Sequence, residues 1–520
     1  MTMKKALAMI LTLALLVSVS MTSAAAAEPA YSDTGNHWAA SVITKWSAYG
    51  ILKGNDGRFK PDDYLTRGDM AIILDRLMGY QIKSTTEFSD LGSSYYTDAV
   101  LKANAAGVIL GSGDGKVMPT SNITRQDAAA MIVRAFKIQP VSGYVLKAAD
   151  ADSVSDYAIS SVGALEANRI MTGKADGKMH PKDPITRAEI VQLLDNQIKA
   201  YYSSAGAYTQ NVTGTALVNT PDVILSNMTI SGTLLVAPGV GEGTLTLDNV
   251  KVTGDVIVLG GGPNSIKIIG GTAITGSIII QKVGGQIRVM TSTGAVVPTV
   301  IIDDDCESDI ILEGIFGDVT VNANVSILLP AGSSISNLIL NKETEITGAG
   351  TIQNVSLAAG ASGSKFETEP TTIMAPRDTE VIIGGVKYVS DGTSFVSETG
   401  VLGESDTNTG GGGGGGSFPV PTLDSIAITT PAAKLSYFVG ESLDITRLVV
   451  TGTYSDTTTK IEVITAVNIT GFDSSAAVTG QVLTVTVSGK TTTYTVDIIE
   501  PSLTSIAITT PPTKTSYIEG

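Results

Sequence analysis

A tetrapeptide of threonine, arginine, any residue and an acid occurs three times near the start of this chain of 520 residues. The copies are Thr66-Arg67-Gly68-Asp69, Thr124-Arg125-Gln126-Asp127 and Thr186-Arg187-Ala188-Glu189. Each copy follows a turn that contains a proline, and each opens an apolar run with helical spacing. A threonine followed three residues later by an acid predicts a capping box, in which both side chains satisfy backbone N–H groups. The motif therefore predicts three helices that begin at the same point of three related units.

The arginine of each motif stands at the first helical position, where a cation opposes the helix macrodipole by about 0.3–1 kcal/mol. Three such choices indicate a compensating partner for each arginine. One candidate is a carboxylate of the neighbouring repeat, which would hold the repeats together. The other is an anionic ligand, which would also meet free N–H donors at the helix start. The residues leave both interpretations open, and the two can apply to different copies.

The motif belongs to a longer repeat, because Arg67, Arg125 and Arg187 recur at a nearly constant spacing. Each unit starts with an acid and an aromatic residue a few positions later, followed by an amphipathic helix and a turn rich in glycine and aspartate. The acids are Asp33, Asp90 and Asp150, the aromatic residues are Trp38, Tyr95 and Tyr157, and the turns begin at Gly54, Gly111 and Gly173. One unit is too small to bury a good core, so the pattern predicts that three units pack together.

These residues resemble the S-layer homology (SLH) family, which anchors exported proteins to the cell wall of Gram-positive bacteria. The resemblance implies a helix-rich, three-pronged spindle made of repeats at residues 28–86, 87–146 and 147–204. It also implies that grooves between the prongs bind a secondary cell-wall polysaccharide, often one that carries a pyruvate ketal.

The resemblance assigns roles to twelve residues. It puts Arg67, Arg125 and Arg187 on the carboxylate of the glycan, Asp33, Asp90 and Asp150 on sugar hydroxyls, Trp38, Tyr95 and Tyr157 against sugar rings, and Gly54, Gly111 and Gly173 where the backbone approaches the sugar. The third copy departs from the pattern, since Ala148 replaces an aromatic residue and Arg169 replaces a glycine of the other two. Its groove is therefore expected to be the weakest of the three.

The segment 1–27 indicates export. Lys4 and Lys5 precede an apolar run over 6–19 and an alanine-rich cleavage site, which together predict a signal peptide. No later stretch is long and apolar enough to predict a membrane span. The formal net charge of −16 argues against binding to nucleic acid or an anionic membrane surface. The single cysteine, Cys306, excludes an intrachain disulfide, and no motif indicates a cofactor.

Residues 207–360 predict a right-handed parallel β-helix. Short apolar strands follow a small residue or proline at positions 232, 254, 276, 298, 317 and 336, so the step from one strand to the next is nearly constant. A repeat of about 20 residues, with asparagine and glycine between strands, is typical of stacked coils. A β-sandwich is the alternative, but it would not explain a nearly constant repeat length.

Because many β-helices act on polysaccharides, an enzyme has to be considered. The acidic cluster that includes Asp303 and Asp305 is the candidate, either as a glycosidic acid–base pair or as a weak Ca²⁺ site. Neighbouring strand residues point to opposite faces, so these aspartates are instead expected to form a solvated corner. We also expect Cys306 to be buried and inert.

The C-terminal part begins with a mixed β and linker segment at 361–409, which includes a hairpin near residues 381–388. The seven consecutive glycines within 410–420 predict a flexible spacer. Residues 421–500 resemble a bacterial immunoglobulin-like β-sandwich, and the sequence from Leu423 to Pro431 nearly recurs from Leu503 to Pro511. Residues 501–520 are therefore expected to be the start of a truncated second repeat, and the length of sequence beyond Gly520 is left open.

Together these features predict a secreted, multidomain, non-enzymatic protein of the cell wall or S-layer of a Gram-positive-type bacterium. Its partner would be the pyruvylated wall polysaccharide, and the β-helix and immunoglobulin-like domains would be displayed outward. A wall-anchored polysaccharide-degrading enzyme and an adhesin are the alternatives. The sequence leaves open whether the protein self-assembles or binds a host or cell-surface ligand.

Overall fold

The fold is taken from a computed structural model of the chain. It describes residues 31–500 except 142, 304–305, 393, 398–399, 402–422, 433, 446–447, 455–458, 463, 465–467 and 488. The predicted signal peptide, the glycine spacer and the truncated second repeat lie outside the described residues. The chain divides into two compact units, residues 1–405 and 406–520, and each is described by itself.

Six α-helices lie in the described part of the first unit and form three pairs. They are α1 Ala40–Ala48, α2 Arg67–Met78, α3 Thr97–Ala105, α4 Arg125–Phe136, α5 Asp156–Ala167 and α6 Arg187–Gln197. The second helix of one repeat packs on the first helix of the next, so that α2 contacts α3, α4 contacts α5 and α6 contacts α1. None of the helices in the described ranges is long and apolar enough to cross a membrane.

Threonine caps the second helix of every repeat, as the motif predicts. The hydroxyl oxygen of each cap accepts a hydrogen bond from the N–H three residues on. Among these three helices, only Thr186 and Glu189 form the complete capping box. In the first two repeats the acid is aspartate, and its carboxylate accepts a hydrogen bond from the threonine hydroxyl instead. The aspartate side chain is one methylene shorter than glutamate, which explains why the complete box is confined to the third copy.

A closed ring of backbone hydrogen bonds joins the three repeats at their centre. The N–H of Leu65 donates to the carbonyl of Ile185, that of Ile185 to Ile123, and that of Ile123 to Leu65, at 2.8–3.0 Å. All three side chains are fully buried. The ring gives the helical domain an approximate threefold arrangement in which each repeat contacts both others.

The remainder of the first unit is a β-solenoid with two long sheets. Its strands are β1 Ile198–Tyr202, β2 Gly206–Tyr208, β3 Val212–Thr213, β4 Thr215–Val218, β5 Val223–Ser231, β6 Leu234–Val236, β7 Leu245–Val252, β8 Val256–Val258, β9 Lys267–Ile269, β10 Ala273–Ile274, β11 Ser277–Ile280, β12 Gln286–Thr291, β13 Thr299–Ile302, β14 Asp309–Glu313, β15 Ile315–Val321, β16 Val325–Leu328, β17 Ser334–Leu340, β18 Thr344–Thr347, β19 Thr351–Leu357, β20 Ser364–Phe366, β21 Thr372–Met374, β22 Glu380–Ile383, β23 Val386–Ser390, β24 Phe395–Ser397 and β25 Gly400–Val401. Sheet A has the order β1-β4-β6-β8-β11-β13-β15-β17-β19-β21. Sheet B has the order β2-β5-β7-β9-β12-β14-β16-β18-β20-β22, continued by β23 to β25, with β3 paired to β5 and β10 to β7.

The register of sheet A follows the sequence repeat. Leu234 pairs in parallel with Val256, Val256 with Ile278 and Ile278 with Val300, so that each pair joins equivalent positions of successive repeats. Val300 then pairs with Val319, where the repeat becomes slightly shorter. Each of these side chains is buried in the solenoid core. The predicted solenoid is therefore confirmed, and its core consists of stacked columns of equivalent apolar residues.

An antiparallel hairpin ends the parallel stack of sheet B. Strand β22 pairs with β23 across a two-residue turn, as the sequence predicts near residues 381–388. The turn residues Gly384 and Gly385 both have positive φ, 55° and 84°, a combination that a tight hairpin turn requires and that favours glycine. The change of direction stops the parallel sheet from continuing.

The second unit is an immunoglobulin-like sandwich. A three-stranded sheet contains β26 Leu423–Thr430, β28 Val449–Tyr454 and β29 Thr459–Glu462, and a four-stranded sheet contains β27 Ser436–Phe438, β32 Lys490–Ile499, β31 Val478–Val487 and β30 Ile469–Thr470. Their shared core includes Tyr437, Val450 and Leu483. Strands β27 and β32 are parallel, so the sandwich is not purely antiparallel.

Candidate functional site

The backbone N–H groups at the start of each second helix are hydrogen-bonded to the neighbouring repeat. The first two N–H groups of each helix donate to carbonyls in the turn of the next repeat, at 2.8–3.0 Å. The pairs are Arg67 with Ser121, Gly68 with Pro119, Arg125 with Asp183, Gln126 with Pro181, Arg187 with Asp63 and Ala188 with Pro61. Since the third N–H is bonded to the threonine cap, the expectation of free donors at these helix starts is wrong.

The three motif arginines also reach across to the next repeat. In each, Nε donates to one carbonyl of that repeat's turn and Nη2 to a second. The acceptors are Val117 and Leu110 for Arg67, Met179 and Thr172 for Arg125, and Phe59 and Lys53 for Arg187, at 2.8–3.5 Å. Each arginine therefore links two repeats through Nε and Nη2, and Nη1 is the nitrogen not used in these bonds.

The arginines differ in how their charge is balanced. Nη1 of Arg125 lies 3.0 Å from the carboxylate of Glu189, whereas Nη1 of Arg67 lies 3.9 Å from that of Asp127. No described carboxylate lies within 4.0 Å of Arg187, whose guanidinium stacks on the Phe59 ring at 4.7 Å. Burial lowers the pKa of Arg187, and nearby acids oppose that shift. Arg125 is thus the most completely paired of the three.

The acids that begin the repeats cap the backbone of the turn in their own repeat. Each carboxylate accepts two hydrogen bonds from successive N–H groups, at 2.7–2.9 Å. The donors are Phe59 and Lys60 for Asp33, Val117 and Met118 for Asp90, and Met179 and His180 for Asp150. The second donor always has positive φ, between 51° and 57°. These bonds fix a left-handed bend that Lys60, Met118 and His180 would otherwise disfavour.

The same hydrogen bonds lower the pKa values of Asp33 and Asp150. Donation from Phe59 is the main cause that holds the pKa of Asp33 below its usual value. Burial raises the pKa of Asp150, but donation from Met179 and His180 outweighs it, and the net pKa is lowered. Both groups are therefore stabilised as carboxylates in the folded protein.

The three predicted aromatic residues lie on the surface. Their exposed fractions are 62% for Trp38, 72% for Tyr95 and 57% for Tyr157. The hydroxyl of Tyr95 donates to Asp69 at 3.0 Å, and that of Tyr157 to Asp127 at 2.7 Å. Burial and then the bond to Asp127 raise the pKa of Tyr157 to about 12. The two tyrosine rings are consequently held by a hydrogen bond while more than half of each side chain stays exposed.

Trp38 takes the equivalent position in the first repeat. Its neighbour His37 contacts Asp62 at 3.2 Å, and the residues on either side of Asp62 accept the first N–H bonds of α6. The residue before Trp38 therefore contacts the turn that accepts the first N–H bonds of α6. Glu189 has two cationic partners, Arg125 at 3.0 Å and Lys174 at 3.3 Å.

Equivalent positions of the three repeats define three sites. Site 1 contains Asp69 and Tyr95, which are hydrogen-bonded, and Arg187, whose pKa is influenced by Asp69. Site 2 contains Arg67, Asp127 and Tyr157, all joined by contacts. Site 3 contains Arg125, Glu189 and Lys174, and Trp38 is assigned to it as the counterpart of Tyr95 and Tyr157 in the sequence repeat. In sites 1 and 2 a tyrosine hydroxyl donates a hydrogen bond to one oxygen of the carboxylate. Among the three described sites, site 3 alone has two cations within 4.0 Å of its carboxylate. The grouping of residues into sites cannot be predicted from their order in the sequence, because the members of a site come from different repeats.

The predicted glycines stand beside the backbone of their own turns. A Cβ at Gly54 would overlap the Tyr31 ring and the Arg58 carbonyl. At Gly111 the nearest atoms would be the Lys116 carbonyl and the Phe88 ring, at 3.0 and 3.1 Å. At Gly173 the nearest is the carbonyl of Lys178, at 3.1 Å, and no described ring is close because Ala148 replaces the aromatic residue. Packing inside each repeat is enough to explain these glycines.

Sequence reasoning missed four residues of the three sites. It treated Asp69, Asp127 and Glu189 only as helix caps, although their second oxygens face the aromatic and cationic groups. It also passed over Lys174, which stands where the other two turns have Asn55 and Ser112. That difference in the aligned turns was a signal that could have identified Lys174.

The solenoid candidates lie elsewhere. Asp303 accepts a hydrogen bond from Gln281, and Asp305 is outside the described residues. Within the described ranges, no group of three or more His, Cys, Asp or Glu side chains could hold a metal ion. Cys306 is buried, as expected, and burial raises the pKa of its thiol.

Comparison with known proteins agrees with this organisation. Residues 30–71, 87–129 and 149–191 match the S-layer homology domain, and residues 430–498 match the bacterial Ig-like domain (group 3). The S-layer protein sap of Bacillus anthracis is 29% identical over 211 residues, which cover 39% of this chain and 25% of that protein. An amylopullulanase of Thermoanaerobacterium thermosulfurigenes is 29% identical over 174 residues, which cover 32% of this chain and 9% of that enzyme.

Among solved structures, chitinase ChiW from Paenibacillus sp. str. FPU-7 matches over 57% of this chain and 19% of its own, with 16% identity and a TM-score of 0.17. The chain thus spans only a quarter or less of these relatives. The S-layer homology domains indicate a location at the bacterial cell surface or cell wall. The chain therefore contains three S-layer homology domains, a β-solenoid and a bacterial Ig-like domain.

Proposed function

We propose that sites 1 to 3 bind a polysaccharide of the cell wall and thereby hold the protein at the cell surface. The observation that carries this proposal is the recurrence of an exposed aromatic ring, a helix-start carboxylate and an arginine at equivalent positions of the three repeats, with the ring bonded to the carboxylate in two of them. A sugar ring presents C–H groups to an aromatic face and hydroxyls to neighbouring acceptors, so this combination suits a carbohydrate. Recurrence at three sites allows one glycan chain, or several, to add their affinities.

Site 3 is the best candidate for an acidic group on the glycan, such as a pyruvate ketal. Arg125 and Lys174 together carry two positive charges against the single charge of Glu189. Arg125 is only 4% exposed, whereas the side chain of Lys174 is 43% exposed. Lys174 is therefore the cation that an incoming carboxylate would reach, and Trp38 would offer the stacking face beside it.

The twelve residues predicted from the sequence keep a place in this proposal, with roles refined by their contacts. Trp38, Tyr95 and Tyr157 are the proposed sugar platforms. The three arginines hold adjoining repeats and retain Nη1 for a ligand to differing degrees, most in Arg187 and least in Arg125. The repeat-opening acids and the turn glycines support the sites by fixing the turns that the arginines contact.

Binding of the full chain to purified wall polysaccharide tests the proposal. Trp38→Ala and Lys174→Gln should each weaken binding at least tenfold with unchanged unfolding temperature. Phe438→Ala is the control for Trp38, because it removes an aromatic residue that is 46% exposed in the other unit. Lys387→Gln is the control for Lys174, because Lys387 is also exposed and paired with a glutamate, Glu380. Equal affinity of all four variants and the parent chain would reject the sites.

A second candidate function is attack on a polysaccharide by the solenoid. A groove of about 460 Å³ on this domain is lined by Glu307, Asp309, Glu343, Glu345 and Lys365, among others. Carboxylates in a groove are the groups that glycosidic cleavage requires. Incubation with a panel of acidic glycans, followed by assay for new reducing ends or unsaturated products, separates this candidate from simple anchoring. An adhesin would instead bind a partner without releasing a product.

A further inference from the structure

The helical domain passes into the solenoid without a linker. Helix α6 ends at Gln197 and strand β1 begins at Ile198. Strand β1 then pairs in parallel with β4, as the first strand of sheet A. The last helix of the third repeat and the first coil are therefore one continuous element.

The outer face of sheet A is covered by the helical domain over its first coils. Leu217, Leu235 and Ile257 form one column on this face and are 0%, 1% and 7% exposed. They belong to the hydrophobic core of the helices rather than to that of the solenoid. The next residues of the same column, Ile279 and Ile301, are only partly buried. The cover therefore ends after the third of these coils.

Aromatic and polar contacts close the edge of this interface. The Tyr201 ring meets Tyr49 edge-on at 5.0 Å and lies 5.8 Å from Trp46, both of the first repeat. Asn219 donates to the carbonyl of Arg76 at 3.3 Å and to the hydroxyl of Tyr201 at 2.9 Å. The end of α2 is thus hydrogen-bonded to a loop of the solenoid.

The two backbones also approach closely. A Cβ at Gly79, which ends α2, would lie 2.6 Å from the Cα of Gly239, and a Cβ at Gly239 would overlap Asn219. Gly79 has φ of 67°, so a side chain there would be strained as well. A hinged junction would have no need of such close packing.

We infer that the first coils of the solenoid, residues 198–259, are a structural part of the anchoring module and position its repeats. The helices and these coils unfold together, and the joint between them is fixed rather than hinged. The direction of the solenoid is consequently set by the repeats that hold the wall. That role in anchoring rests on the proposed function, whereas the joint itself can be tested without any glycan.

A fragment that stops near residue 200 would expose the helical side of this interface. Strand β1 would lose its partner β4, and the core of the helices would lose Leu217, Leu235, Ala237 and Ile257. The smallest well-folded anchor is therefore expected to extend through β8, which ends at Val258.

Hydrogen exchange on the full chain tests the joint. Leu235→Asp should speed exchange at least tenfold in the last turn of α2 as well as in β4, β6 and β8, because a buried charge separates the two layers. Ile301→Asp is the matched control, since it lies in the same column two coils beyond the covered part, and it should affect only its own coil. Leu235→Met keeps an apolar side chain of similar size, so it should leave protection on both sides of the interface as it is in the parent chain.

The unmodified chain provides a test that does not depend on whether a variant folds. Exchange followed through increasing denaturant should give the same opening free energy for amides of α2 and β6. Separate openings, or unchanged protection of α2 in Leu235→Asp, would overturn the inference. Neither readout uses the wall, so failure of glycan binding would be recognised separately.

Discussion

Arg125 of the second repeat lies 3.0 Å from the carboxylate of Glu189 in the third, and its guanidinium is almost completely enclosed. The same side chain donates to the carbonyls of Met179 and Thr172. Arg125 is therefore a structural tie between two repeats, and the arginine of the motif is explained in this copy by a protein carboxylate.

Removal of Arg125 should destabilise the helical domain strongly. Arg125→Ala leaves Glu189 without its closest cation and two carbonyls without donors, which should cost about 3–5 kcal/mol. Arg67→Ala is the comparison, since its carboxylate contact is longer at 3.9 Å, and a loss of about 1–2 kcal/mol is expected. Chemical denaturation measures both. A smaller loss for Arg125 than for Arg67 would contradict this assignment.

Acid should weaken the turns that Asp33 and Asp150 cap. Both pKa values are lowered in the folded protein from the ordinary 3.8, so this stabilisation is present above pH 3.8 and is lost as pH falls through the lowered values. Asp33→Asn should therefore lower the unfolding temperature at neutral pH, and its difference from the parent chain should shrink below pH 3.8. Asp152→Asn removes the same charge from an exposed position and should change little. A difference that grew in acid would refute the role of the carboxylate.

The turn glycines should respond to alanine according to what surrounds them. Gly54→Ala forces a methyl group against the Tyr31 ring and the Arg58 carbonyl, and should cost about 1–3 kcal/mol. Gly173→Ala faces only the carbonyl of Lys178 at 3.1 Å and should cost less. In a Tyr31→Ala background the penalty at Gly54 should fall by at least about 0.5 kcal/mol. Additive effects in this double-mutant cycle would show that the ring is not the constraint.

Local patterns of the sequence were enough to predict several elements. The threonine caps, the repeat period and the nearly constant steps that align Leu234, Val256 and Ile278 all depend on residues near one another in the chain. The complete capping box was predicted for three copies but occurs in one of these helices, because the shorter aspartate bonds to the threonine hydroxyl. The immunoglobulin-like fold was also recognised, although its parallel strand pair was not anticipated.

Other features depend on contacts that the order of residues does not reveal. Asp33 binds N–H groups of Phe59 and Lys60, far along the chain, so its role in the turn was not visible beside the glycan-binding role that the resemblance implied. Leu235 lies on the face of sheet A opposite to the solenoid core, and the helices that cover it come from another part of the chain. The sites themselves combine three repeats, which only the threefold packing brings together.

Attachment to the wall through its glycan is the central property proposed for this protein. The direct measurement is sedimentation of the full chain with wall sacculi, before and after their secondary polysaccharide is stripped. We predict that the protein pellets with intact sacculi and stays in the supernatant once the polysaccharide is gone. Equal pelleting with both preparations would contradict glycan-dependent attachment, because the protein would then be held by something other than that glycan.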